Sequence, residues 1–118
     1  MDKATIKRLE EMSDADLSRA QKSLRALLRL YDGPSTLKPC PLCHFVEGCA
    51  VCPWKIFTGR DCIAYGDDWV ADHGLTPPDQ FGLFILWLRD ERPAGWLYHR
   101  RRQVRTWMRH IEEEIDAR

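Results

Sequence analysis

Five cysteines, at positions 40, 43, 49, 52 and 62, are the residues of this chain best suited to chemistry. The pattern is Cys40-Pro-Leu-Cys43, five residues, Cys49-Ala-Val-Cys52-Pro53, nine residues, then Cys62. A Cys-x-x-Cys turn offers two sulfurs to one ion, with backbone N–H groups close by. Two such turns make the tetrahedral four-thiolate site that zinc prefers. An odd cysteine count in a cytosolic chain does not read as a disulfide framework. A thioredoxin-like redox pair needs a βαβ context, which the sequence lacks. The expectation is therefore a metal site drawn from Cys40, Cys43, Cys49, Cys52 and Cys62. One set is Cys40, Cys43, Cys49 and Cys52, with a tight link between the turns. The rival is Cys40, Cys43, Cys52 and Cys62, with Cys49 outside the coordination shell. His44 adjoins a ligand and is placed to donate a hydrogen bond to a sulfur. Zinc is the expected cofactor. An iron–sulfur cluster is the alternative, although the spacing does not match the bacterial ferredoxin run. Four thiolates leave no open coordination position, so the metal would be structural.

The second set of candidates is basic. Lys plus Arg and Asp plus Glu each number 18, giving a formal net charge of zero. That excludes a uniformly basic, histone-like binder and an acidic disordered tail. The charge is uneven, however. Arg102, Arg105 and Arg109 recur at i, i+3, i+7, with Arg100 and Arg101 beside them, and Lys22, Arg25 and Arg29 could extend the same basic surface. Such a stripe can track DNA or RNA phosphates or meet a protein partner. The competing reading is a solvated helix face paired with Glu112 to Glu114. No ββα finger or RNP motif is present. The excess of Arg over Lys reads first as a GC-rich coding sequence.

Catalytic signals are sparse. The chain has no Asn, which excludes a His-Asn-His nuclease and a Cys-His-Asn triad. His73, His99 and His110 are scattered. Asp61, Asp67, Asp68 and Asp72 match no metal-site spacing and read as a soluble loop. There is no phosphate-binding Gly loop, His-Glu-x-x-His or Gly-x-Ser-x-Gly. The expectation is a binding protein and not an enzyme.

These residues need a scaffold, and the pattern predicts a mainly α protein. It reads as one helical domain over residues 1–118, with about four helices and an irregular, metal-stabilised Cys-rich insert at about 34–72. Ile6, Leu9 and Met12 recur at helical spacing. Ser13 with Asp16 signals a second start, and a helix from about Asp14 to Tyr31 has the stripe Leu17, Ala20, Leu24, Leu27, Leu28 and Tyr31. Asp32-Gly33-Pro34 stops it. Trp54, Phe57, Tyr65 and Trp69 are expected to pack the insert on the helices. Thr76-Pro77-Pro78-Asp79 opens a third helix to about Glu91, apolar nearly all round. A fourth, from Gly95 onward, shows Leu97, Val104, Met108, Ile111 and Ile115 on one face, with Trp107 beside it. Glu113 follows Arg109 by four, and Glu114 follows His110 by four, so charge pairs are available. No internal repeat is visible. The apolar run Phe81 to Leu88 is shorter than the roughly 20 residues of a membrane span, and no leader is apparent. The expected location is the cytoplasm.

The run CPLCHFVEGCAVCPWKIFTGRDC, followed by Trp69 and the helix RRRQVRTWMRHIEEEI, resembles small cysteine-motif proteins of phages and prophages. The matching positions are Cys40 and Cys43, Cys49, Cys52 and Pro53, Gly59 and Cys62, and the Trp107 helix. The match covers about residues 40 to 115, with a shorter gap between the pairs and an added apolar helix around Phe84. The family is largely uncharacterised, so the resemblance implies a mobile-element origin more than a reaction. It implies a host or phage protein complex as partner, in the cytoplasm of a host bacterium. Inhibition of a host defence or transcription complex fits. Direct DNA or RNA binding through the Arg face is one alternative, and an iron–sulfur redox or sensor protein is another.

Overall fold

The computed structural model describes residues 1–32, 41–60 and 94–118. The predicted helix opened by Thr76-Pro77-Pro78-Asp79 and running to about Glu91, the Asp-rich stretch, Cys40, Cys62, Tyr65 and Trp69 lie outside the described residues. The protein is mainly α, and no strand occurs among the described residues.

Helix α1 spans Lys3–Glu10. Asp2 caps it, its Oδ1 accepting from the Thr5 N–H at 2.8 Å. That bond holds the Asp2 carboxyl below its ordinary pKa, with the Thr5 side chain adding to the effect. Thr5 and Leu9, one turn apart, face the core, and Ile6 points out. So short a helix buries one row only, and Ile6 lies a hundred degrees away from Thr5.

Helix α2 spans Asp14–Asp32. The Ser13 Oγ accepts from the Asp16 N–H at 3.1 Å, as the sequence predicts. Asp14 and Asp16 oppose the positive end of the helix dipole. Leu17, Ala20, Leu24 and Leu27 are wholly buried, and Tyr31 nearly so. Ser23 joins them because its Oγ donates to the Ala20 carbonyl at 2.7 Å, which satisfies a buried hydroxyl.

The cysteine segment is more regular than expected. It contains helix α3, Pro41–Phe45, then a single 3-10 turn, Cys49–Val51, then helix α4, Pro53–Thr58. Pro53 occupies the first turn of α4, and Gly59 ends it at φ +74°, where its N–H donates to the Lys55 carbonyl at 2.9 Å. Leu42 buries α3 against the core, and α3 packs on α2. Helix α4 packs on α1. There the Arg8 Nε donates to the Ile56 carbonyl at 2.8 Å and serves an end-of-helix acceptor that lacks an intrahelical partner.

Helix α5 spans Ala94–Asp116 and runs antiparallel to α2, its main neighbour. Val104, Trp107 and Ile111 form its buried stripe, with Met108 and Ile115 partly buried. An aromatic joint fixes α4 to it. The Phe57 and Trp107 rings stack at 5.3 Å and 2°, and Trp54 meets Trp107 edge-on at 5.8 Å. Trp54 and Phe57 therefore seat the insert, as the sequence suggests.

Arg118 closes the assembly. Its guanidinium donates to the carbonyls of Met12 at 2.6 Å, Leu9 at 3.1 Å and Glu10 at 3.2 Å. It also reaches Asp14 at 3.0 Å and Glu114 at 3.1 Å. One side chain thus serves the carbonyls at the end of α1 and ties them to α5. The Asp14 hydrogen bond raises its pKa, with Glu114 adding to the effect.

Candidate functional site

Two groups of residues carry functional potential, and the helices place them on different parts of the molecule. The first is the cysteine pair of the insert. Cys49 is exposed at the start of the 3-10 turn, and Cys52 is buried just before α4. Cys49 is a free thiol. The Cys52 N–H donates to the Cys49 carbonyl at 3.2 Å, so this Cys-x-x-Cys closes as a tight turn. Cys43 belongs to α3. Among the described residues, no three His, Cys, Asp or Glu side chains form a metal-holding group, and the cysteine side chains described are those of Cys49 and Cys52. Cysteine sulfurs at i, i+3, as at Cys49 and Cys52, are of the kind that a soft, thiolate-binding ion takes. The anchoring is informative too. Helix α3 is held by α2, and α4 is held by α1, by α2 and by the α5 aromatics, so the two halves of the cysteine pattern share α2 and differ in their other supports. His44 is exposed and lies edge-on to Phe45, with ring centroids 4.9 Å apart. Glu47, which the sequence does not single out, meets Arg19 of α2 at 3.3 Å.

The second group is the basic face, and here the structure supplies what spacing cannot. Gln21 donates to Glu112 at 3.3 Å, and Arg101 pairs with Asp32 at 2.7 Å. These two contacts pin both ends of the α2/α5 seam and set its register. Counting round each helix from its buried stripe, Lys22, Arg25 and Arg29 occupy the same angular positions on α2 as Arg102, Arg105 and Arg109 on α5. The match extends to Leu28 with Met108 and Asp32 with Glu112. The two helices are thus related by a local two-fold axis through the seam. All six basic side chains are exposed on the side away from the core.

Pairing is partial. Arg25 lies 4.0 Å from Glu112, and Arg109 lies 3.7 Å from Glu113. Among the described residues, no carboxylate is within ion-pair distance of Lys22, Arg29, Arg102 or Arg105. Arg101 and Arg100 are used differently. Arg101 is half-buried and also donates to the Tyr31 carbonyl at 3.1 Å, tying the helices together. Arg100 is buried, 5.0 Å over the Trp54 ring, and donates to the Gln103 amide oxygen at 2.7 Å. His110 meets Glu113 at 3.6 Å instead of Glu114, which Arg118 holds.

Gln21 and Arg118 are the structural residues that the sequence reading misses. Both act across the fold, at partners about ninety or more positions away, where local spacing carries no signal.

No protein family matches the chain, and neither a curated protein nor a solved structure is significantly similar to it.

Proposed function

We propose that this protein is a small accessory protein that acts by binding an anionic macromolecule, on a helical scaffold stapled by zinc at the cysteine insert. One observation carries the reading: six exposed cations stand on one side of the α2/α5 pair, and four of them have no carboxylate partner among the described residues. A face whose purpose is solubility gains from evenly mixed signs, whereas here the six cations outnumber the carboxylates paired with them, Glu112 and Glu113, in a chain of zero net charge. The cysteine pattern supports the scaffold role. Zinc held between α3 and α4 would join α3, which rests on α2, to α4, which rests on α1, α2 and α5. Binding of that kind supplies about 10–16 kcal/mol in small domains. In the setting that the phage resemblance implies, the protein would occupy a surface used by a host defence or transcription complex in the bacterial cytoplasm.

Retention on immobilised heparin tests the reading. Wild type should elute well above physiological salt. A Lys22→Ala, Arg29→Ala, Arg102→Ala, Arg105→Ala variant should elute far earlier with an unchanged circular dichroism spectrum. Equal elution of the two would refute the assignment of this face.

A further inference from the structure

We infer that the anion recognised by the α2/α5 face is the sugar–phosphate backbone of B-form double-stranded DNA, gripped on both strands at once. The inference rests on the binding reading above and names the partner class.

Three features of the face select this partner. The first is symmetry. Lys22 matches Arg102, Arg25 matches Arg105 and Arg29 matches Arg109 across the local two-fold axis of the antiparallel helix pair. A DNA duplex presents its two backbones in the same relation, antiparallel and exchanged by two-fold axes. A single strand has no such axis, and an acidic protein surface has no reason to repeat its charges that way.

The second feature is dimension. Each triad spans seven residues of helix, or about 10 Å at 1.5 Å per residue. One strand advances 3.4 Å per phosphate along the duplex axis and farther along its own inclined path, so a triad runs alongside about two phosphates. The two rows stand about as far apart as packed helix axes, roughly 8–10 Å. Long Arg and Lys side chains on rows at that separation reach the phosphates bordering a minor groove of about 6 Å. A-form RNA offers a wide, shallow minor groove and a major groove too narrow to enter, and it fits the rows less well.

The third feature is the chemistry of the side chains. Five of the six are arginines, whose planar guanidinium matches phosphate oxygens with two parallel hydrogen bonds. Acidic groups bound the row on the α5 side: Glu112, Glu113 and Glu114 follow Arg109, with Asp14 and Asp16 nearby on the end of α2. They would repel the backbone beyond the footprint and limit the contact to the central turns. Contacts of this kind go to phosphates alone, so the face binds with little regard to base sequence.

Fluorescence anisotropy with a labelled 20-base-pair duplex of mixed sequence tests this, using the full chain purified with its metal. The four cations with no carboxylate partner among the described residues predict a slope of about −3.6 in log affinity against log salt, or about a 150-fold loss between 50 and 200 mM. Lys22→Ala and Arg102→Ala, matched positions on opposite helices, should each reduce the slope by about 0.9, and the double variant by about twice that. Gln103→Ala, off the face, should leave the slope unchanged. Single-stranded DNA of the same length and an RNA duplex should bind more weakly than duplex DNA. No duplex binding at 50 mM salt would overturn the inference, as would an effect confined to one helix or an equal preference for single strands or RNA. If heparin retention still depends on the face in such a case, the binding reading stands and the partner assignment alone falls. If heparin retention does not depend on it, both fall.

Discussion

Replacing Trp107 by Ala probes the joint on which the architecture turns. Trp107 is 7% exposed and packs between Phe57, stacked at 5.3 Å, and Trp54, edge-on at 5.8 Å. It connects α5, which carries half of the basic face, to α4, which follows the second cysteine pair. Loss of a buried Trp side chain costs about 3–5 kcal/mol, as transfer free energy and a residual cavity together. That cost already contains the aromatic geometry, worth about 0.5–1.5 kcal/mol per pair beyond buried area. A domain of this length has roughly 6–18 kcal/mol in all, so the variant should still fold. Its melting temperature should drop by about 12–20 °C, at about 4 °C per kcal/mol for this size. Urea titration followed by circular dichroism measures the change. A double-mutant cycle with Phe57→Leu isolates the stacked pair, with an expected coupling of about 1 kcal/mol. Ile111→Ala, one turn further on, should instead add independently to Phe57→Leu. A Trp107→Ala cost below about 1 kcal/mol, or an additive cycle with Phe57→Leu, would refute the reasoning that the insert is seated through this joint.

Other consequences are open to the same methods. Ser13→Ala should cost about 1 kcal/mol by removing the α2 cap, and Ser13→Asp should restore it; urea midpoints decide. Gly59→Ala places a side chain at φ +74° and should cost about 1–2 kcal/mol from backbone strain, since the nearest atoms to a new Cβ, at 3.6 Å on Arg8, are no closer than ordinary contact. Asp2 has its pKa lowered by the Thr5 N–H, so its contribution is present above its unfolded pKa and fades as pH falls through its folded value; the stability gap between wild type and Asp2→Ala should therefore be wider at pH 7 than at pH 2. Cys52→Ser should release metal and lower the melting temperature, while His44→Ala, an exposed side chain, should be milder; elemental analysis should find zinc without visible absorption bands in the wild type, whereas iron with sulfide would support the redox alternative.

Local signals explain most of what the sequence reveals. The Ser13 cap, the stripe from Leu17 to Tyr31 and the Val104–Ile111 stripe depend on near neighbours, and α2 and α5 follow directly. The rows Lys22–Arg29 and Arg102–Arg109 were visible for the same reason. Ile6 shares the helical spacing of Leu9 and Met12 yet is exposed, because spacing alone does not separate a core residue from a surface one until the helix is docked. The short helices α3 and α4 carry ordinary punctuation, Pro41 and Pro53 at their starts and Gly59 after the second, yet they are too short for any hydrophobic period to show. Register is the part no spacing encodes. Only the contacts of Gln21 with Glu112 and Arg101 with Asp32 turn two basic rows into one symmetric face, and they withdraw Arg101 from it. Arg118 is the extreme case, since its acceptors near residues 9 to 14 lie at the far end of the chain.

The most direct test of the basic face is to watch its side chains. Arginine Nε–Hε resonances of the purified protein can be followed by NMR during titration with a 12-base-pair DNA duplex. Arg25, Arg29, Arg102, Arg105 and Arg109 should shift together, while Arg100, held over Trp54, and Arg118, held at the α1 end, stay in place. Shifts concentrated at Arg8, Arg60 or Arg118, with the α2 and α5 rows unmoved, would contradict the account.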